Sequence, residues 1–282
     1  MNLAYDNGLP GLDRVFTWFN DPGNWWGPGG LLARTGEHLT YTLLVVVLAA
    51  ALALPLGVLI GHTGRGTALV AAAVNTARAV PAFGLLVLLI VLLSPHMPTR
   101  AAVLGVIPPD AVPYAVPALL VLLLIAVPPI LTSTYAGIQA LDPAIRDAAQ
   151  GIGMTPLQVA LTVELPCALP LLFSGIRSAT LQVIATLTVA AYAPLVGGLG
   201  RLIVDGQQNL ADPRYGYPAM VASGFTVAVL AVAVDALLGL AQRLATSPGL
   251  TTVRARPLTG RSLAHNRSRR ALTGQPTSKD LS

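Results

Sequence analysis

Long apolar segments alternate with short polar ones along most of the chain. Each apolar segment holds roughly 18 residues or more, enough to cross a hydrocarbon layer of about 30 Å as a helix. A backbone in lipid must satisfy its own hydrogen bonds, and the sequence lacks the short alternating segments of a membrane β-barrel. The pattern predicts an all-α integral membrane protein with about five transmembrane helices, over residues 39–61, 68–93, 114–138, 167–193 and 216–242.

Composition supports a membrane protein and divides the chain into three parts. Of the 282 residues, 54% are hydrophobic and 10% are charged, whereas soluble domains carry about 25% charged residues. The spans form a transmembrane domain over 38–245, and the basic tail, 246–282, is expected to be cytoplasmic and disordered. Residues 1–37 are expected to lie outside the cytoplasm or at the interface, because apolar side chains at helical spacing precede two tryptophans there: Leu12, Val15, Phe16, Phe19, Trp25 and Trp26.

The distribution of basic residues predicts the orientation in the membrane. With the C-terminus inside, ten Lys and Arg residues lie on the inner side and five on the outer side, and Arg78 and Arg177 remain in the spans. Inner segments are enriched in Lys and Arg, so we expect the N-terminus outside and the C-terminus in the cytoplasm. The two remaining arginines are expected to reach the headgroups or to form structural pairs, with Asp235 as a candidate partner. Lining a water-filled path is the alternative.

A polar segment, 139–166, separates the third and fourth predicted spans on the cytoplasmic side. Asp142 is a favourable helix N-cap, and Gly153 can end this first helix in a left-handed backbone conformation. A second helix is predicted to begin at Thr155 and to end at Leu165–Pro166, at the membrane. The first helix should present a single face of small and apolar side chains, formed by Ile145, Ala148, Ala149 and Ile152.

One motif in this segment resembles a known family. Asp147-Ala148-Ala149 is followed by three residues, Gly153, nine residues, Val163, one residue and Leu165-Pro166. This spacing resembles the EAA loop of binding-protein-dependent ABC importer permeases, which reads Glu-Ala-Ala, then Gly, then Ile-x-Leu-Pro. The chain departs from that pattern by Asp for Glu and by Val for Ile. A connecting loop with a chance motif is the alternative.

The resemblance implies a MetI-like permease fold in the inner membrane of a bacterium. It also implies that a short helix of the loop fits a groove on a separate ATPase subunit, which holds ATP and Mg²⁺. The other implied partners are an extracytoplasmic substrate-binding protein and a second permease copy or a paralogue. The residues implied to couple the permease to the ATPase are Asp147, Ala148, Ala149, Gly153, Val163, Leu165 and Pro166.

Further segments resemble these permeases, and several resemble their osmoprotectant branch, which imports glycine betaine, choline, carnitine and related amines. The sequence contains no P-loop, no metal-ligand spacing and no catalytic constellation, so no enzyme activity, cofactor or nucleic-acid partner is expected. The similar segments are Asn75–Gly84 in the second predicted span, Tyr135–Ile138 before the loop, Gly175–Thr180 after it and Gly197–Gly200.

Candidate residues for a translocation path lie in the second and fourth predicted spans. Pro81 interrupts its helix and could contribute to a gate, with simple irregular packing as the alternative. The polar residues of the fourth span could line the path or bond to other helices; they are Gln182, Thr186, Thr188 and Tyr192.

Three classes of function remain open at this point. The first is an ABC importer permease, for osmoprotectants or for another small solute such as an amino acid or a related amine. A secondary transporter is the second class, but the sequence has no internal repeat, and Asp235 is the only acidic residue well inside a predicted span. The third, a membrane anchor, would not need the long loop motif.

Overall fold

The computed structural model describes residues 11–98 and 107–246, and the regular elements in these ranges are helices. Short 3-10 turns occur at Pro22–Asn24 and Ser94–His96, and a π turn occurs at Ala160–Glu164. The α-helices are α1 (Leu12–Asn20), α2 (Leu31–Thr63), α3 (Thr67–Ala79), α4 (Ala82–Leu93), α5 (Val112–Gln139), α6 (Pro143–Gly151), α7 (Pro156–Val159), α8 (Leu165–Ala190), α9 (Leu199–Gln208) and α10 (Gly216–Ala245).

Four helical segments in the described ranges are long and apolar enough to cross a membrane: Leu31–Thr63, Val112–Gln139, Pro156–Ala190 and Gly216–Ala245. The predicted second span, 68–93, is not one continuous helix. It is divided into α3 and α4.

The division of this predicted span falls at Pro81. Val80 has an extended backbone (φ −75°, ψ 125°), and Pro81 then occupies the N-cap position of α4. The residue before a proline is disfavoured in the helical conformation, and proline has no N–H for the helical ladder. The expected interruption at Pro81 is therefore present, as a break between two short helices.

α5 lies at the centre of the packing, with α2 and α8 against it. The buried core joins small and aliphatic side chains from all three helices, including Ala49, Leu122, Ala126, Ala179 and Val183. Two glycines of α2 allow close approach to α5. A Cβ atom would lie 2.6 Å from Thr134 Cβ at Gly57 and 2.8 Å from Ile138 Cβ at Gly61. Small residues of this kind bring helices together in membranes.

An ion pair joins α8 to α10. Arg177 donates from Nε to Asp235 Oδ1 at 2.9 Å and from Nη2 to Asp235 Oδ2 at 2.7 Å. The Gln242 side chain extends this contact by donating to the backbone oxygen of Pro170 at 3.1 Å. The expectation of a structural pair is thus met for Arg177, because the fork of a guanidinium matches both carboxylate oxygens.

The N-terminal helix packs against α10 and shares a buried cluster with residues of α9 and α10. Its buried residues are Val15 and Trp18, which contact a cluster that contains Leu199 and Ala219. Of the apolar side chains predicted to share one face, Val15 is buried and Leu12 and Phe16 are exposed, and contact of this helix with the membrane surface stays a prediction. The predicted tail lies outside the described residues except for Thr246.

Candidate coupling loop and translocation path

The first helix of the loop, α6, has the ends that the sequence predicts. The Asp142 side chain accepts a hydrogen bond from the Ala144 N–H at 2.9 Å and caps the start. At the other end, Gly153 has φ 89°, and the Met154 N–H donates to the Ala149 oxygen at 3.2 Å. A left-handed glycine with this hydrogen bond is the usual way to end a helix and to satisfy its last carbonyl groups.

The two faces of α6 differ from the single small-residue face that the sequence predicts. Ala149 is 7% exposed and lies against the protein, whereas Ala148 is exposed and Ile152 is 77% exposed. The four residues cover about 100° of the helix surface, and Ala149 lies at the edge of this stripe that is turned towards the rest of the protein. The outer face is formed by Ile145, Ala148 and Ile152.

The second helix of the loop does not end at Leu165–Pro166. Thr155 begins this helix as predicted, with a reciprocal capping box to Gln158. The chain then continues through the π turn into α8, where Pro166 stands in the first turn. In the π turn the Leu165 N–H donates to Ala160, five residues back. The wider turn and the first-turn position let the helix continue, since the missing N–H of a proline is tolerated there.

Apolar side chains outside the motif are also exposed on this loop. Leu157 of α7 is 68% exposed and Leu161 of the π turn is 50% exposed. Of the motif residues in the same part of the loop, Val163 and Leu165 are half-buried and Pro166 is exposed. Exposed apolar surface on a polar loop is a common sign of a protein partner.

A buried carboxylate lies beneath the loop, and sequence reasoning missed it. Glu164 is 0% exposed and contacts two basic side chains. Its Oε2 lies 2.9 Å from His62 Nδ1, and its Oε1 lies 2.5 Å from Arg146 Nε in an ion pair. In the sequence, Glu164 is recognisable only as an acidic residue within an apolar stretch. Arg146 is a basic residue in an earlier helix, α6, and nothing in the sequence links the two.

The candidate path residues are distributed over two helices. Gln182 and Tyr192 are exposed on α8 and just beyond its end, and Thr186 is half-buried. The Tyr192 ring meets Phe83 edge-on with centroids 5.9 Å apart, and its hydroxyl donates to Gln207 at 2.5 Å. Phe83 follows Pro81 at the start of α4, so the structure brings the Tyr192 and Pro81 regions together. Gln182 and Thr186 lie earlier in α8, about two to three helical turns before Tyr192.

Polar residues of the spans also bond within their own helices. The hydroxyl of Thr188 donates to Ala185, and that of Thr134 donates to Ile130. Of the four candidates of the fourth span, Thr188 thus bonds within its own helix, whereas Tyr192 bonds to Gln207 of another helix, α9.

A second polar cluster lies at the opposite end of the spans from the loop. Glu37 near the start of α2 accepts hydrogen bonds from Arg34 Nη1 at 2.9 Å and from the Gly198 N–H at 2.8 Å. His38 is fully buried, with Nε2 3.1 Å from the Ile184 oxygen. These contacts hold the start of α2 to α8 and to the segment between α8 and α9.

The helices and the capped loop define a multi-pass helical membrane protein, and similarity to known proteins specifies its family. A family model described as "Binding-protein-dependent transport system inner membrane component" matches residues 53–246. The choline transport system permease protein OpuBB of Bacillus subtilis (strain 168) is 34% identical over 222 residues, which cover 79% of this chain and 91% of OpuBB. The osmoprotectant import permease protein OsmW of Salmonella typhimurium is 33% identical over 225 residues, which cover 79% and 94%.

A solved structure of the MetNI methionine ABC transporter, in an inward-facing conformation, has a similar fold. Its TM-score is 0.58 at 24% identity, over 77% of this chain and 97% of the matched chain. This similarity confirms the predicted all-α, MetI-like fold. The chain belongs to the family of binding-protein-dependent transport system inner membrane components. It is therefore a transport permease component and not an enzyme, and the resemblance seen in the loop motif is confirmed.

Proposed function

We propose that the chain is the transmembrane permease subunit of an ATP-driven importer for osmoprotectants such as glycine betaine, choline or carnitine. The observation that supports this most strongly is the set of substrates in the names of its relatives. OpuBB is named for choline, OpuCB of Bacillus subtilis for glycine betaine, carnitine and choline, and OsmW for osmoprotectants. These relatives match along most of their length, so the similarity spans a whole permease.

Two other functions receive less support. An importer for another small solute, such as an amino acid, would fit the fold of the methionine transporter, but that similarity concerns the fold alone. A secondary transporter needs intramembrane acidic groups that bind and release an ion. Asp235, the acidic residue expected inside a span, is held at both oxygens by Arg177. This pairing favours a structural role.

The substrate proposal predicts a specific pattern of uptake. Cells that lack their own osmoprotectant importers and express this chain with its ATPase and binding protein should accumulate labelled choline, glycine betaine or carnitine. An excess of unlabelled methionine should leave that uptake unchanged. Accumulation of an amino acid, with none of the three amines taken up, would assign the chain to another solute.

We further propose that the loop 139–166 couples this chain to ATPase subunits, which bind ATP and Mg²⁺. The outer face of α6 supports this proposal, since it presents Ala148 and Ile152 to a partner on a rigid, capped helix. Gly153 sets the turn between the two helices. Asp147 is exposed beside the outer face. The remaining motif residues, Val163, Leu165 and Pro166, support the junction with α8.

The translocation path is proposed to run along α8 and the start of α4. Gln182 supports this, because an exposed polar side chain in a span needs a protein or water-filled neighbour instead of lipid. Tyr192 lies just beyond the end of α8, beside Phe83 and Gln207. A second copy of the chain, or a paralogue, would supply the opposite wall. Pro81 would then place the α3–α4 break beside the path, near the Phe83–Tyr192 contact. Thr186 and Thr188 are half-buried polar residues of α8 between Gln182 and Tyr192.

The proposed orientation has the N-terminus outside the cell and the C-terminus in the cytoplasm. A reporter that is active only in the cytoplasm should work when fused after Lys279 and fail when fused at the N-terminus, because of the ten-to-five distribution of basic residues. A second fusion in the turn at Gly64 should also be active, since that turn is at the same end of α2 as the loop. Activity at the N-terminus alone would place α6 outside the cell and remove its coupling role.

A further inference from the structure

The buried carboxylate of Glu164 connects the loop with the ends of the three central helices. We call His62, Arg146 and Glu164 the Glu164 cluster. Glu164 stands at the junction of the π turn and α8, His62 is in the last turn of α2, and Arg146 is in α6. Arg146 also donates from Nη2 to the backbone oxygen of Ile138 at 2.9 Å, near the end of α5.

The Glu164 cluster places charged side chains inside a helix junction. A fully buried carboxylate is costly unless charges or hydrogen-bond donors compensate it. Here both oxygens of Glu164 have a basic neighbour. The guanidinium of Arg146 also donates to a backbone oxygen near the C-terminus of α5, where cations are favoured. A junction that only needed packing could be built from apolar residues, as the adjoining core of α2, α5 and α8 is.

Arg146 attaches the inner side of α6 to the other helices of the junction. The side chain is half-buried, on the same inner side of the helix as Ala149, while Ala148 and Ile152 are exposed on the outer face. α6 therefore has an outer apolar surface and an inner charged attachment. A force applied to the outer surface reaches α5 and α8 through Arg146, and it reaches α2 through Glu164 and His62.

We propose that Arg146 and Glu164 are positioning residues that make α6 move as one body with α2, α5 and α8 when the ATPase moves. This inference rests on the proposed coupling role of the loop. The cluster transmits movement and does not dock the ATPase, because Glu164 is buried beneath the loop. Loss of the ion pair should therefore leave ATPase binding intact and lower the amount of solute imported per ATP hydrolysed.

The test uses the full permease with its ATPase and binding protein in proteoliposomes, supplied with choline, glycine betaine and carnitine in turn. Glu164→Gln and Arg146→Gln remove one charge each and keep a side chain of similar length. Each should lower the solute imported per ATP hydrolysed by about tenfold. Membrane insertion, ATPase binding and basal ATP hydrolysis should stay near wild type.

The double variant should be no worse than either single variant, because the two residues act through one contact. Arg146→Lys should recover part of the loss, and the control Arg65→Gln, exposed in the nearby turn, should have no effect.

The outcomes separate this inference from the proposed function beneath it. Glu164→Gln and Arg146→Gln with a wild-type ratio of solute to ATP would overturn the positioning role. A loss of insertion or of ATPase binding in both variants would also overturn it, since the cluster would then serve folding alone. If the wild-type permease imports solute but Ile152→Lys leaves import unchanged, the coupling role of the loop fails first. If the wild type imports none of the three amines, the proposed substrate fails.

Discussion

Ile152→Lys is expected to release the ATPase from the permease and to abolish ATP-driven uptake, while the chain still folds and inserts. Ile152 is 77% exposed on the outer face of α6, so a lysine there disturbs no internal packing. A charge placed at the centre of a docked apolar surface should cost about 2 kcal/mol or more of binding free energy, or about thirtyfold in affinity. The measurement is co-purification of the ATPase with the permease, followed by uptake in proteoliposomes.

The same helix offers a matched control. Gln150 is exposed and lies away from Ala148 and Ile152, so Gln150→Lys should bind the ATPase normally. Gly153→Val should also uncouple the two subunits, because its φ of 89° is unfavourable for a β-branched residue. A substitution at Ala149 would be less informative, because a bulky charged residue there would disturb the packing of the protein as well as ATPase binding. Normal ATPase binding by Ile152→Lys would show that the partner docks elsewhere.

Gly57→Leu is expected to prevent α2 from packing against α5 and so to destabilise the whole permease. A Cβ at this position would lie 2.6 Å from Thr134 Cβ, which is closer than side-chain atoms approach. Overpacking a core costs about 1–3 kcal/mol, and a leucine between two helix backbones should be at or above the upper end. The effect is measured as a fall in the unfolding midpoint of the purified protein in detergent.

Gly36→Leu is the control for this change, because it is in the same helix but faces open space. Among the described residues, no atom of another helix would lie within 4 Å of a Cβ added at Gly36. The control should insert and unfold like the wild type. Equal stability of Gly57→Leu and Gly36→Leu would mean that α2 and α5 are not in close contact at this point. Gly61→Leu should behave like Gly57→Leu, since its Cβ would meet Ile138.

Local signals in the sequence are sufficient to predict the elements of the loop. Asp142, Gly153 and Thr155 act through hydrogen bonds within a few residues, so their roles follow from the order of residues alone. The orientation of α6 depends on the rest of the protein, which buries Ala149 of the predicted small, apolar face and leaves its other three members exposed. At Leu165–Pro166 the expected helix end is overridden by the π turn, which lets the chain continue into α8.

Contacts between distant residues are the part that the sequence leaves open. His62 and Glu164 are 102 positions apart, and nothing in the local pattern of either residue specifies the other. The pair Arg177–Asp235 is within reach of sequence reasoning, because intramembrane charges need partners and few are available. Pro81 is recognisable as an interruption, but a continuous apolar segment cannot distinguish a kink from two separate helices.

The origin of substrate selection bears on the central claim. Quaternary amines are held mainly over aromatic faces, and a selective pocket needs several rings around one cation. The spans carry scattered aromatic residues, and the structure brings Phe83 and Tyr192 together from different segments. These two rings contact each other edge-on, so they do not form a pocket with several ring faces around a cation. We therefore propose that a separate extracytoplasmic binding protein selects the substrate and that the path in this chain is permissive.

Uptake by the reconstituted permease and ATPase, with and without the binding protein, tests the account most directly. With binding protein and ATP, proteoliposomes should accumulate choline, glycine betaine or carnitine, and omission of either component should reduce accumulation to background. Ile152→Lys should abolish the uptake, and Gln150→Lys should preserve it. Saturable, selective uptake of an amine without any binding protein, or uptake driven by an ion gradient without ATP, would contradict the account.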